Sequence, residues 1–224
     1  MYNNFDYKKV AGNIFFDIQE LDLENVPNLR RIRKEYSKIL KDIDGEFIIN
    51  LARYYIKRYG YHWIVYEIIY CHPNAINCIG MAELEEFGQG INSWGRVDVF
   101  ACYIAGQALR NNQVGIDLIR SWAKSEDRWW RRAALISTIP LNRPTAGGKG
   151  DVPQTLEICR LLVADRDDMV VKALSWALRE LIRYDANGVR KFVNENSQVL
   201  ASRVKREVRN KLELGLKNPR RKRK

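Results

Sequence analysis

The sequence predicts an all-α protein built from antiparallel helix pairs stacked one after another. Apolar residues recur at helical spacing along nearly the whole chain, while strand-like alternation is rare. Gly, Pro and short polar capping residues cut the chain into helix-length pieces. A stretch beginning at Asp127 is also matched, 40 positions on, by one beginning at Asp167.

Taken in order, residues 5–21 carry Val10, Ile14, Ile18 and Leu21 at helical spacing and predict the first helix. Pro27 and Asn28 open a second, running to about Ile43. Asp44 caps a third from Gly45 to Tyr59, closed by Gly60. Residues 61–70 form a short, very apolar helix, and 74–81 another short element. Residues 81–92 read as one helix with a looser, Gly-rich end, and Ser93 caps the next, to about Leu109. Residues 114–123 and 126–139 follow as helices. Pro140, Pro144 and the run Thr145-Ala146-Gly147-Gly148-Lys149-Gly150 mark a loop. Helices are then expected over 152–163, over 169–184 behind the cap Asp167, over 187–196 and over 198–215. The residues after Leu216 contain Pro219 and mostly charge, so we expect one helical domain over 1–216 and a basic, disordered tail over 217–224.

The repeat sharpens the fold class. Asp127-Arg128-Trp129-Trp130-Arg131-Arg132-Ala133-Ala134-Leu135 aligns with Asp167-Asp168-Met169-Val170-Val171-Lys172-Ala173-Leu174-Ser175. Each begins with an acidic cap, then a helix start, a basic residue and small residues. A period near 40 without strands points to HEAT-like or armadillo-type pairs forming an α-α superhelix, with an irregular helical bundle as the alternative.

Composition narrows the function classes. Residues of hydrophobic type make up 46%, which excludes wholesale disorder, and no apolar run is long enough to span a bilayer. The first residues lack the pattern of a signal peptide, so a cytoplasmic location is expected. The cysteines at 71, 78, 102 and 159 are scattered and read as reduced core thiols. With only His62 and His72 to join them, no metal site is expected. The formal charge of +11 is uneven: residues 203–224 hold 11 basic and 2 acidic residues of the chain's 38 and 27. The body of the protein is nearly neutral, so placement of individual cations carries more information than the total.

On a curved stack, cations at equivalent positions of successive units form a stripe suited to phosphates. Arg132 and Lys172 are equivalent in the repeat, Arg131, Arg179, Arg183 and Arg190 lie nearby, and Lys205 or Arg206 can extend the stripe. The competing reading is a solvated face paired with Asp127, Asp168 and Glu180. Trp94 and Asp98 are four residues apart and share a helix face, and a nearly apolar run follows them. A carboxylate at the edge of a buried region must pair, shift its pKa or meet a cation. It serves as well as a structural Asp bonded to an arginine or a helix terminus. Trp176, with Arg179 and Glu180 one turn on, is a second candidate. Two indoles and a carboxylate suit a flat cationic ligand.

These residues carry a resemblance. Ser93-Trp94-Gly95-Arg96-Val97-Asp98, Trp129-Trp130-Arg131-Arg132-Ala133-Ala134 and Lys172-Ala173-Leu174-Ser175-Trp176-Ala177-Leu178-Arg179-Glu180 resemble, in order and approximate spacing, the DNA alkylation repair family of AlkD-like HEAT-repeat DNA glycosylases. Ser93 and Gly95 depart from that pattern. The resemblance implies a monomer that binds duplex DNA in a basic concave groove and, without cofactor or metal, excises cationic N3- and N7-alkylated purines such as 3-methyladenine and 7-methylguanine. It assigns catalysis to Asp98 with Trp94 and Trp176. Arg132, Arg131, Lys172, Arg179, Arg183, Lys205 and Arg206 fall on the DNA-binding side. Two other readings share the scaffold. A non-catalytic protein would bind damaged or branched DNA, and a protein scaffold would show an apolar or mixed groove with Asp98 neutralised by an internal arginine.

Overall fold

The computed structural model describes residues 6–60 and 63–219, and among them every regular element is helical. The helices pack in antiparallel pairs, consistent with a HEAT-like or armadillo-type solenoid. Two compact units divide between Gly90 and Ile91.

The first unit contains α1 (Tyr7–Gln19), α2 (Val26–Ile39), α3 (Gly45–Tyr59), α4 (Trp63–Cys71), a 3-10 turn (Ala75–Cys78) and α5 (Met81–Gly88). Its helix starts are made by short polar side chains: Asp6, Asn25 and Asp44 each accept a hydrogen bond from a first-turn amide. α1 packs on α3 and α2 on α4, burying Ile14, Leu40, Ile48, Ile64 and Ile68. His72 is a structural residue. Its Nε2–H donates to the Leu40 carbonyl and its Nδ1 accepts from the amides of Asn74 and Ala75. His62 lies outside the described residues.

The second unit begins with α6 (Trp94–Phe100), capped by Ser93. The helix continues through one π turn (Ala101–Ala105) into α7 (Gly106–Arg110), so its limits match the expected helix but its winding does not. Gly106 closes the π turn. A Cβ there would lie 2.6 Å from the Ser137 carbonyl and 2.7 Å from Pro140 Cγ, so this close approach requires glycine. α8 (Ile116–Ala123) and α9 (Arg128–Ser137) form the next pair. Pro140, expected in the loop, instead sits in the first turn of the short α10 (Ile139–Asn142), where its missing N–H is tolerated. The Gly-rich loop follows, then α11 (Val152–Leu161) and α12 (Asp168–Glu195). α12 is broken at Asp185, whose φ of −148° and ψ of 78° are non-helical and whose carboxylate accepts from the Gly188 amide. The two helices expected over 169–184 and 187–196 therefore join at this kink. α13 (Ser202–Leu214) packs along α12.

Asp127 and Asp167 both cap their helices, as the internal repeat requires. Behind them Ala133, Ala134, Ala173, Leu174, Ala177 and Leu178 are buried where α9 meets α12. Each leucine contributes about 1.5–3 kcal/mol on burial, and the alanines let the helix axes approach. Trp122 is buried, and Trp130 packs against it and Phe100. Trp129 is half-buried beside the Arg128 guanidinium. The cysteines are free, but Cys159 alone among them is buried. Cys71, expected in the core, is exposed at the last residue of α4. No described helix is long and apolar enough to cross a membrane.

Candidate active site

Asp98 is delivered by the register of α6. Val97 and Phe100 turn into the core, which leaves Trp94 and Asp98 one turn apart on the other side. Trp94 is 63% exposed. The Asp98 side chain is only 20% exposed and faces α9. There Arg132 meets it with both arms of its guanidinium, Nε donating to Oδ1 at 2.8 Å and Nη2 to Oδ2 at 2.8 Å. The remaining nitrogen, Nη1, donates to the Met169 carbonyl in the first turn of α12. Arg132 is itself buried, so its charge needs this partner, and it ties three helices at one point.

Burial raises the Asp98 carboxyl above its ordinary value, against the hydrogen bond and charge of Arg132, which pull it down. The forked contact selects the ionised form, since a carboxylate accepts both N–H groups. One turn on, Cys102 is a part-exposed residue whose sulfur is turned inward, and desolvation pushes that thiol up to about 12, which leaves it protonated and unsuited as a nucleophile at neutral pH.

Above this pair lies a cleft of about 430 Å³, lined by Trp94, Arg132, Met169, Lys172, Trp176, Arg179 and Lys217. Four of these, at 169, 172, 176 and 179, follow the helical period on α12 and form one stripe, while its opposite face is buried. Trp176 is held by Glu180. Its indole N–H donates to Oε1 at 2.8 Å, Arg143 donates to the same oxygen at 2.9 Å, and the Arg143 guanidinium lies 5.3 Å from the ring centre. Lys172 pairs with Asp168 at 2.7 Å, and that hydrogen bond holds the Asp168 carboxyl below its ordinary value. Arg179 donates to Ser175 Oγ at 3.3 Å, and Ser175 in turn donates to the buried Glu207 at 2.7 Å. Burial lowers the Arg179 pKa against the pull of Glu207.

Of the residues singled out in the sequence, Trp94, Arg132, Lys172, Trp176 and Arg179 line this one cleft, and Asp98 sits directly under Arg132. The others lie elsewhere. Arg131 pairs with Asp165 at 2.7 Å and donates to the carbonyls of Ser125 and Glu126. Lys205 donates to the Ser197 carbonyl, and the exposed Arg206 lies 3.9 Å from Glu207. Arg183 lines a second cleft of about 610 Å³, with Arg143, Arg179 and Lys211. The sequence reading missed Met169, Lys217, Glu207 and Arg143. Met169 was legible as the first residue of the α12 stripe. The other three act through contacts between distant segments and left no local signal. Among the described residues, no three His, Cys, Asp or Glu side chains are grouped to hold a metal ion.

A family model described as DNA alkylation repair enzyme matches residues 25–212. No curated protein matches the sequence. Among solved structures, a protein titled predicted DNA alkylation repair enzyme from Enterococcus faecalis matches with a TM-score of 0.67 and 14% identity, covering 95% of this chain and 96% of that one. At that identity the likeness establishes the fold. The family match spans most of the chain, and the chain belongs to the DNA alkylation repair enzyme family.

Proposed function

We propose that this chain is a DNA glycosylase that hydrolyses the N-glycosidic bond of cationic N3- and N7-alkylated purines in duplex DNA, acting as a monomer. One observation carries this reading: two tryptophans and four cations line a single cleft over the Asp98–Arg132 pair. Four cations suit a phosphate backbone. Trp94 and Trp176 offer flat apolar faces against which sugar and backbone can rest, without a closed pocket for a flipped base.

The chemistry needs little more. An alkylated purine already carries positive charge and leaves as the neutral base, so no acid is required. Positive charge then develops on the sugar. The Asp98 carboxylate, fixed by the Arg132 fork, offsets that charge and orients a water whose oxygen bonds to the anomeric carbon as the bond to the base breaks, the surplus proton passing to bulk water. Electrostatic preorganisation of this kind serves where a sugar hydrolase would need a second carboxyl group to protonate its leaving group.

A second reading, non-catalytic binding of damaged or branched DNA, is favoured by one feature: Arg132 already engages both Asp98 oxygens. A protein scaffold would share that ion pair, but the cationic lining of the cleft argues against it. Release of 7-methylguanine from methylated duplex DNA under single-turnover conditions separates the readings. The parent protein releases base, and Asp98→Asn loses on the order of 10²–10³-fold in rate while binding duplex within a few-fold of the parent. A parent that binds duplex and releases nothing assigns the second reading.

A further inference from the structure

The loop from Arg143 to Gly150 has no part in the chemistry proposed above, yet it lies against the helix that carries Trp176. Trp176, Glu180 and Tyr184 stand one turn apart on α12 and form one stripe. The loop meets all three. The Arg143 guanidinium lies 5.3 Å from the centre of the Trp176 ring, and its Nη2 donates to Glu180 Oε1 at 2.9 Å. The Tyr184 hydroxyl donates to the Gly148 carbonyl at 3.3 Å. Gly150 takes a φ of +94°, and a Cβ there would lie 2.5 Å from the Tyr184 ring, so this close approach requires glycine.

Backbone contacts tie the start of the loop to its middle. The Arg143 carbonyl accepts from the amides of Ala146 and Gly148, both at 2.9 Å, and the Gly150 amide donates to the Leu141 carbonyl at 2.9 Å. Arg143 is therefore held at its backbone by the loop and at its side chain by Glu180. Glu180 gives one oxygen to two donors, since the Trp176 indole N–H reaches the same Oε1 at 2.8 Å. Trp176 lines the cleft over Asp98, whereas Arg143 and Glu180 line the neighbouring cleft. The groups that fix the indole thus stand outside the cleft that the indole lines.

We infer that this loop is a brace for Trp176, with Arg143 and Glu180 as positioning residues that set the plane in which the indole meets the damaged nucleotide. An indole on a helix surface turns about two side-chain bonds. The hydrogen bond to its N–H and the guanidinium beside its ring select one orientation. The ring is then ordered before a ligand arrives, which removes that cost from binding and from the chemical step. The inference rests on the glycosylase reading of this cleft and deepens it.

The test is a double-mutant cycle on the full chain, read as single-turnover release of 7-methylguanine at saturating protein. Glu180→Ala is expected to slow release about ten- to hundredfold in the parent. In Trp176→Ala, where no indole is left to position, the same change costs less than about twofold. Glu180→Gln, whose amide oxygen still accepts both N–H groups, recovers most of the loss. Equal losses in the two backgrounds, or no loss on Glu180→Ala, overturn the inference. A second readout needs no activity. The indole N–H proton resonance of Trp176, identified by its absence in Trp176→Phe, moves in Glu180→Ala, and an unmoved resonance also overturns the inference. If the parent binds duplex but releases no base, the glycosylase reading fails, and duplex affinity of the same four proteins decides the brace. A loss on Glu180→Ala that vanishes in Trp176→Ala retains it, and equal losses overturn it. A parent that neither binds duplex nor releases base removes both.

Discussion

Glu67 on α4 and Asp98 on α6 are each held by arginine from a distant helix, and the two settings differ in one respect that matters. Glu67 is 5% exposed. Arg30 reaches its Oε1 at 3.0 Å and 3.3 Å, and Arg33 lies 3.4 Å from its Oε2. Asp98 has one arginine and keeps a 20% exposed side chain, and that arginine is part of the wall of a cleft. The ion-pair chemistry is the same. Glu67 spends it on joining α2 to α4, whereas Asp98 spends it where a ligand can approach.

Mutations can break this comparison. The largest effect is that of Asp98→Asn on the proposed excision rate, read on the folded fraction, because the substitution also leaves the buried Arg132 without its countercharge and lowers stability by about 3–5 kcal/mol. Glu67→Gln is the converse. It leaves two arginines at a buried site without a countercharge and lowers stability by about 2–3 kcal/mol, read by urea unfolding. That is less than the 3–5 kcal/mol of a fully buried pair because Arg30 is half exposed. Excision by the folded fraction stays at the parent value. If Glu67→Gln abolished excision in folded protein, the division of roles would be wrong.

The pH profile sharpens the contrast at Asp98. Its carboxyl is raised above the ordinary 3.8 by burial, against Arg132. The proposed reaction needs the carboxylate, so the rate is level above this pKa and falls as pH drops through it, with a midpoint above 3.8. Arg132→Ala removes the group that pulls the value down, so the midpoint moves further up. The stability sign is separate. A carboxyl raised by burial costs stability when ionised, and that cost disappears as pH falls below its folded pKa.

The smallest effect on the fold is that of Trp94→Ala. At 63% exposure the ring supports little of the core, and stability should stay within about 0.5 kcal/mol. Affinity for duplex DNA should nevertheless drop by about 1–3 kcal/mol if the indole packs against the nucleic acid. A ring that mattered to folding and not to binding would reverse both readings on a thermal melt and an anisotropy titration.

Much of this protein was legible in the sequence because its causes are local. Asp44, Ser93, Asp127 and Asp167 cap helices, since a side-chain oxygen satisfies the first-turn amides whatever else surrounds it. The stripe at 172, 176 and 179 follows from helical period alone. The 40-residue match placed Arg132 and Lys172 in equivalent positions, and both line the cleft.

Other features belong to tertiary structure. The π turn after Asp98 depends on how Gly106 meets Ser137 and Pro140. The partner of Asp98 is chosen 34 residues away, by the distance at which α6 and α9 pack. Lys217 reaches the cleft, with Glu207 buried behind it, only because α13 lies along α12 and the chain reverses at Gly215. Periodicity and capping act over three or four residues, so the sequence alone determined most of the helices, the starts that carry capping side chains and the face that carries the tryptophans, while packing set several helix ends and the join within α12. Burial of charge is settled by what the neighbouring helix presents, and only the folded chain decides which carboxylate answers which cation.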